Sequence, residues 1–180
     1  MDLASFDLDG VIVDTEQAVR EAYKIAGVDM PEDAWGRGAG NWLEEAAGSP
    51  ERAAAAHLMK QEVYPRMLEE HCKLLAGHVL VHELLGAGHE VIVVTLASLR
   101  SAKDALAVVQ LADKVQVYST TDKNTVLHSV RPAFHVDDRP FRSEVPIIAF
   151  ENDIQIMQEK IREVLEPSTV SSSPRVTVAG

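Results

Sequence analysis

Two aspartates one residue apart, Asp7 and Asp9, close a short apolar run just before a glycine, in the stretch Phe6-Asp7-Leu8-Asp9-Gly10-Val11-Ile12-Val13-Asp14-Thr15. On an extended backbone residues i and i+2 share a face, so both carboxylates point into one site. Such a pair at a strand end can hold a hard cation and divide nucleophilic and acid/base work between its members. A second acidic pair, Asp137-Asp138, ends another apolar run, Thr95 ends a third, and Lys123 follows a fourth. Three or four carboxylates meeting at one point repel each other unless a cation or protons neutralise them. Oxygen-only ligands select magnesium or a similar hard ion over zinc. Neighbouring residues at a strand end point in different directions, so one of Asp137 and Asp138 is expected to ligate and the other to support it. The Thr95 hydroxyl and the Lys123 ammonium suit phosphate oxygens. The chemistry this set suggests is phosphoryl transfer through a phospho-aspartate, with Asp7 as nucleophile. Asp9 would protonate the leaving group and then activate water.

These residues act together only if their strand ends meet at one edge. Segment 3–8 reads as a strand, and from residue 15 to 26 the apolar positions Ala18, Val19, Ala22, Tyr23, Ile25 and Ala26 recur at helical spacing before Gly27. Beyond Gly77 the pattern alternates. Helices are predicted over 79–85, 99–111, 124–130 and 154–165, and strands over 91–94, 115–118, 133–136 and 146–150. Such alternation specifies an α/β fold, a doubly wound parallel sheet with helices on both faces and ligands at the carboxyl ends of its strands. The expected core is 1–14 with 77–166, the expected helical cap is 15–76, and the serine-containing tail 167–180 is expected to be disordered.

The insertion 15–76 has its own texture. Gly36-Arg37-Gly38-Ala39-Gly40 follows no strand and precedes no Lys-Ser/Thr, so it reads as a turn between helices and not as a phosphate cradle. Ser49 as N-cap with Pro50 behind it starts a helix to about residue 64, and a further helical segment is expected after Pro65, to about residue 75. Trp35, Trp42 and Tyr23 are candidates for stacking on a base.

Composition narrows the partners. A net charge of −11 argues against a nucleic-acid polymer, which needs clustered Lys and Arg. Cys72 is the single cysteine, which leaves no internal disulfide and no thiolate metal cluster. The histidines are scattered and read as surface residues or as supports of a site. No apolar run approaches a membrane span and the first residues show no leader pattern, so no membrane and a cytoplasmic location are expected.

FDLDGVIVDT, a helical insertion, VIVVT, a lysine and then HVDD together resemble the haloacid dehalogenase-like hydrolase superfamily, over roughly residues 1–165. The resemblance implies Asp7 as nucleophile, Asp9 as general acid/base, and Thr95 and Lys123 as ligands of the phosphoryl group. It implies Mg2+ held by Asp7, the Asp9 backbone carbonyl and Asp138, with Asp137 in support, and an insertion that closes over the substrate. An acidic residue at position 9 resembles the phosphatases and phosphomutases, since dehalogenases lack one there. TTDKNTVLHSV followed by HVDDRP is similar to 5'(3')-deoxyribonucleotidases, implying a nucleoside monophosphate, with the Leu96 N–H as a further phosphate donor. FDLDGVIVDT and TLAS look like the sugar-phosphate phosphatase and β-phosphoglucomutase branch. The expected function is thus a Mg-dependent phosphomonoesterase acting on a small phosphorylated metabolite, a nucleotide first and a sugar phosphate or a mutase reaction second. A catalytically inactive phospho-ligand-binding module is the reading of another class, and such a module has no need of Asp9.

Overall fold

The computed structural model describes residues 1–166, so the tail predicted to be disordered lies outside the described residues. Five parallel strands form the central sheet: β1 (Leu3–Phe6), β4 (Glu90–Thr95), β5 (Gln116–Ser119), β6 (Phe134–Asp137) and β7 (Ile147–Ala149). Their order is β5-β4-β1-β6-β7. The chain leaves β1 to build one side of the sheet, then returns to build the other. Beside β1 the connections diverge, which opens a crevice at the strand carboxyl ends.

Alternation along β4 assigns the two faces. Val91 and Val93 join the main apolar cluster with Leu80 and Val81 of α4 (Ala76–Gly86), Ala105 and Leu106 of α5 (Leu99–Val108), and Met157 and Ile161 of α7 (Ile154–Leu165). Ile92 and Val94 face the other way, toward Leu127 of α6 (Lys123–Val130) and Val145. Both faces are covered, so the strands read as continuous apolar runs.

Between β1 and α4 the chain makes a helical insertion tied off by a two-stranded antiparallel ribbon, β2 (Val13–Asp14) with β3 (Lys73–Leu74). Inside it lie α1 (Glu16–Ile25), two 3-10 turns at Glu32–Ala34 and Ala39–Asn41, α2 (Leu43–Ala47) and α3 (Pro50–His71). Tyr23, Val28, Ala34, Trp42, Leu43, Ala47 and Ala56 make a separate apolar cluster, while Ala18, Ala22, Tyr64, Met67 and Leu68 belong to the main one.

Three expectations about local structure are corrected. The helix predicted to break at Pro65 runs unbroken through it. Its buried positions Ala56, Lys60, Tyr64, Met67 and Leu68 form one stripe that crosses the proline, and Pro65 itself is exposed. Packing of that stripe outweighs the missing donor at one solvent-facing position. The helix ends at His71, not near residue 75, because Lys73 and Leu74 turn extended to pair with Asp14 and Val13. α5 stops at Val108, not at 111, with Gln110 in the left-handed region at φ 60°.

Candidate active site

β1 ends one residue before Asp7, whose N–H donates to the Val136 carbonyl of β6 at 2.9 Å and so continues the pairing into the site. The Asp7 side chain is buried; Oδ1 accepts from the Leu8 N–H at 2.8 Å and Oδ2 lies 2.8 Å from Lys123 Nζ. Lys123 is the first residue of α6, where Asp122 caps the helix by accepting from the Asn124 N–H. That position aims its ammonium back over the sheet edge, where it also donates to Asp137 Oδ2 at 2.6 Å. Lys123 therefore bridges Asp7 and Asp137.

Asp137 is held from behind as well. His135, fully buried on β6, places Nε2 3.1 Å from Asp137 Oδ2 and Nδ1 2.8 Å from Ser5 Oγ on β1. Burial lowers the His135 pKa, so the ring is neutral. An ionised carboxylate only accepts, so Nε2 carries the proton and Nδ1 accepts from Ser5. The other Asp137 oxygen accepts from the Arg139 N–H at 2.9 Å. Burial pushes the Asp137 carboxyl up, but the hydrogen bonds from His135 and Lys123 win and hold it below the usual range.

Asp138 points outward beside Gly10. A side chain on Gly10 would put its Cβ 2.5 Å from Asp138 Oδ2, and Gly10 adopts φ 83°, so this close approach needs glycine. Oxygens of Asp7, Asp137 and Asp138 all come within 4.8 Å of one another. Three carboxylates with one lysine, and no nitrogen or sulfur donor among them, suit a hard divalent cation. Without one, burial and the nearby Asp137 charge raise Asp7 to about 7 against the pull of Lys123. Asp138 is raised by burial and by Asp137.

Asp9 stands apart from that trio, facing the insertion. Its Oδ1 accepts a short hydrogen bond from Thr15 Oγ1, just beyond β2. Burial raises its pKa, opposed by the Thr15 hydrogen bond and by the charge of Lys60 on α3. Two carboxyls from one strand end thus meet different surroundings, one beside a lysine and one beside a hydroxyl.

Thr95 is buried at the end of β4, and its Oγ1 accepts from the Ala97 N–H at 3.1 Å. The turn that follows is braced by Ser119 Oγ donating to the Ala97 carbonyl at 2.7 Å and leads into α5, capped by Ser98. The exposed Leu96 sits in this turn, so its backbone and not its side chain belongs to the phosphate-binding argument. A hydroxyl, a turn and a helix N-terminus suit an anion.

The aromatic expectation is corrected in part. Trp42 is 5% exposed, packed edge-on against Tyr23 with ring centroids 5.0 Å apart, so neither ring offers a free face to a base. Both fill the insertion's own core. Trp35 stays half-buried on the loop that meets the sheet edge, where its carbonyl and that of Gly36 accept from the Arg139 guanidinium at 3.4 Å each. Sequence reasoning passed over Arg139, Lys60 and Tyr64. It also passed over His78 and His82, which stand one turn apart on α4 with ring centroids 4.6 Å apart. Arg139 was legible as the residue after the acidic pair; Lys60 and Tyr64 were legible only as positions four apart on one helical stripe.

No protein-family description matches the chain, and no curated protein matches it in sequence. Solved structures match it in fold. A hydrolase of the haloacid dehalogenase-like family from Streptococcus pneumoniae is 19% identical, with a TM-score of 0.55 over 77% of this chain and 76% of that one. A hydrolase from Pseudomonas syringae is 21% identical, with a TM-score of 0.56 over 77% of this chain and 76% of that one. CbbY from Rhodobacter sphaeroides, in complex with phosphate, is 18% identical, with a TM-score of 0.54 over 76% of this chain and 77% of that one. The chain has the fold of the haloacid dehalogenase-like hydrolases.

Proposed function

We propose that the protein is a magnesium-dependent phosphomonoesterase that works through a phospho-aspartate on Asp7. The observation that carries this reading is Lys123 held between Asp7 and Asp137, with Asp138 and Asp9 at the same strand edge. Asp7 and Asp138 would hold the cation, joined by the Asp9 carbonyl that the family resemblance implies, with Asp137 fixed behind them. Bound there, the ion neutralises charge on the phosphate and on the carboxylates.

Asp7 attacks phosphorus as the bond to the ester oxygen breaks, and Asp9 gives its proton to that departing oxygen. Burial raises the Asp9 pKa against the Thr15 hydrogen bond, which favours the protonated form that the acid step needs. Asp9, now ionised, takes a proton from water, and the water oxygen attacks phosphorus and releases phosphate and Asp7. Lys123 and the Thr95 hydroxyl hold the phosphoryl oxygens throughout, and the insertion acts as a cap that keeps bulk water out.

The substrate is a small phosphate ester, in keeping with the phosphate bound by CbbY. Trp35 is the remaining support for a nucleoside monophosphate, since Trp42 is used inside the cap. Asp7→Asn should abolish phosphate release from any ester in the presence of Mg2+. Asp9→Asn should keep phosphate binding while turnover falls by about 10²–10⁴-fold. Retained turnover in Asp7→Asn would falsify the covalent route.

A further inference from the structure

Lys60 lies near the middle of α3, 5% exposed, and none of the steps above uses it. Its Nζ donates to Ser101 Oγ at 3.1 Å and sits 3.8 Å above the Tyr64 ring. Among the described residues no carboxylate lies within 4.0 Å of it, whereas buried Lys123 has two. A buried ammonium without a counter-ion is costly, because burial removes its water and nothing opposite in charge replaces it. Burial pulls its pKa down to about 8, while the more distant Asp9 and Asp104 oppose the fall, so at neutral pH the group is still charged. Replacing it with an apolar residue would relieve that cost, so the charge calls for a use.

Position narrows the use. Ser101 is in the first turn of α5 and its Oγ accepts from Ser98 Oγ at 3.0 Å, which places Nζ beside the turn that follows Thr95. The Asp9 charge also acts on Nζ, so Lys60 lies near both the start of α5 and the carboxyl proposed to protonate the leaving group. Three of its directions are accounted for by Ser101, the Tyr64 ring and its own stem. What is missing is an anion.

We propose that Lys60 is the counter-ion for a second anionic group on the substrate, carried by the alcohol that leaves. This rests on the phosphomonoesterase reading and deepens it: the substrate class becomes phosphate esters of hydroxy acids, or bisphosphates. Carboxylate and phosphate share the chemistry that Lys60 recognises, and separate esters distinguish them.

The test uses the full chain with Mg2+ and two kinds of ester. Phosphoglycolate and fructose 1,6-bisphosphate leave as anions; p-nitrophenyl phosphate and adenosine monophosphate present no carboxylate or second phosphate. Wild type should favour one anionic ester by tenfold or more in kcat/KM, and Lys60→Met should cut that ratio tenfold or more, mainly through KM. The preferred arm names the anion. A wild type without the preference, or a ratio unmoved in Lys60→Met, overturns the proposal. Lys60→Gln is run beside it in case the methionine variant does not fold. If no ester is turned over, the phosphomonoesterase reading fails, and thermal shifts with the same compounds decide about Lys60. A larger rise with phosphoglycolate or the bisphosphate than with p-nitrophenyl phosphate, lost in the variant, supports it. Equal rises overturn it.

Discussion

Asp7 and Asp137 share one lysine, yet they lie on opposite sides of the normal carboxyl range, because burial prevails at Asp7 and hydrogen bonds prevail at Asp137. Asp137 accepts from three donors and stays ionised, while Asp7 accepts from two and titrates near about 7. The difference suits their proposed roles, a fixed charge beneath and a nucleophile that a cation must switch on. It also links pH to stability. A carboxyl whose pKa rises from 3.8 to about 7 on folding binds more protons folded than unfolded, so its contribution to stability is lost as pH climbs from about 4 through 7. Without Mg2+, Asp7→Asn should therefore be more stable than wild type at pH 8, by at most about 4 kcal/mol, and the gap should close toward pH 4. Urea unfolding at several pH values measures it, and a gap that widens on acidification would contradict the assignment. His135 was legible in sequence only as a letter beside the acidic pair; its support of Asp137 depends on both faces of β6 being buried.

At the scale of elements, α3 carries the clearest conflict between local preference and packing. Pro65 removes a donor and crowds the carbonyl of Gln61, which in a helix interior costs about 3 kcal/mol against alanine. The buried stripe from Ala56 to Leu68 holds the helix through it, and the proline faces solvent. Pro65→Ala should therefore stabilise the protein by about 1–3 kcal/mol, read from the urea midpoint; an equal or lower midpoint would mean that Pro65 makes a favourable contact in the fold. In a sequence proline marks a helix stop, and only the buried stripe on either side of Pro65 shows otherwise. The ribbon of β2 and β3 was not legible at all. Two-residue strands carry no periodicity, and their pairing spans about sixty residues, so only the folded chain brings Val13 to Leu74. By contrast, the strands that lead to Asp7, Thr95 and Asp137 were legible because each is a β-branched or apolar run giving way abruptly to a polar residue.

At the scale of the whole molecule, the insertion is held against the sheet edge at separate points. Arg139 reaches the carbonyls of Trp35 and Gly36, Arg100 reaches Gln61 and Glu62, and Lys60 reaches Ser101. The Arg139 contact is exposed and long, so it fixes the loop more than it stabilises the fold. Arg139→Ala should speed amide hydrogen exchange over residues 32–42 and leave β1 and β4 protected, with global stability within about 0.5 kcal/mol of wild type. Unchanged exchange in that loop would show that the arginine does not hold it. The doubly wound core and its crevice followed from alternation in the sequence, because its helices are long enough to show their period and its strands stand between them as short apolar runs. The insertion's contribution did not, because Lys60 comes to Ser101 at the start of α5 only through how α3 lies across α5.

α3 begins in the insertion's own apolar cluster at Ala56 and ends in the main core at Met67 and Leu68. Spanning both clusters, it would act as a lever if tilted about a fulcrum at the ribbon end. Twenty-two residues of helix span about 33 Å. A tilt of about 10° at the fulcrum carries Pro50 about 6 Å and Lys60, halfway along, about 3 Å. A tilt of that size would carry the Lys60 ammonium out of hydrogen-bond reach of Ser101.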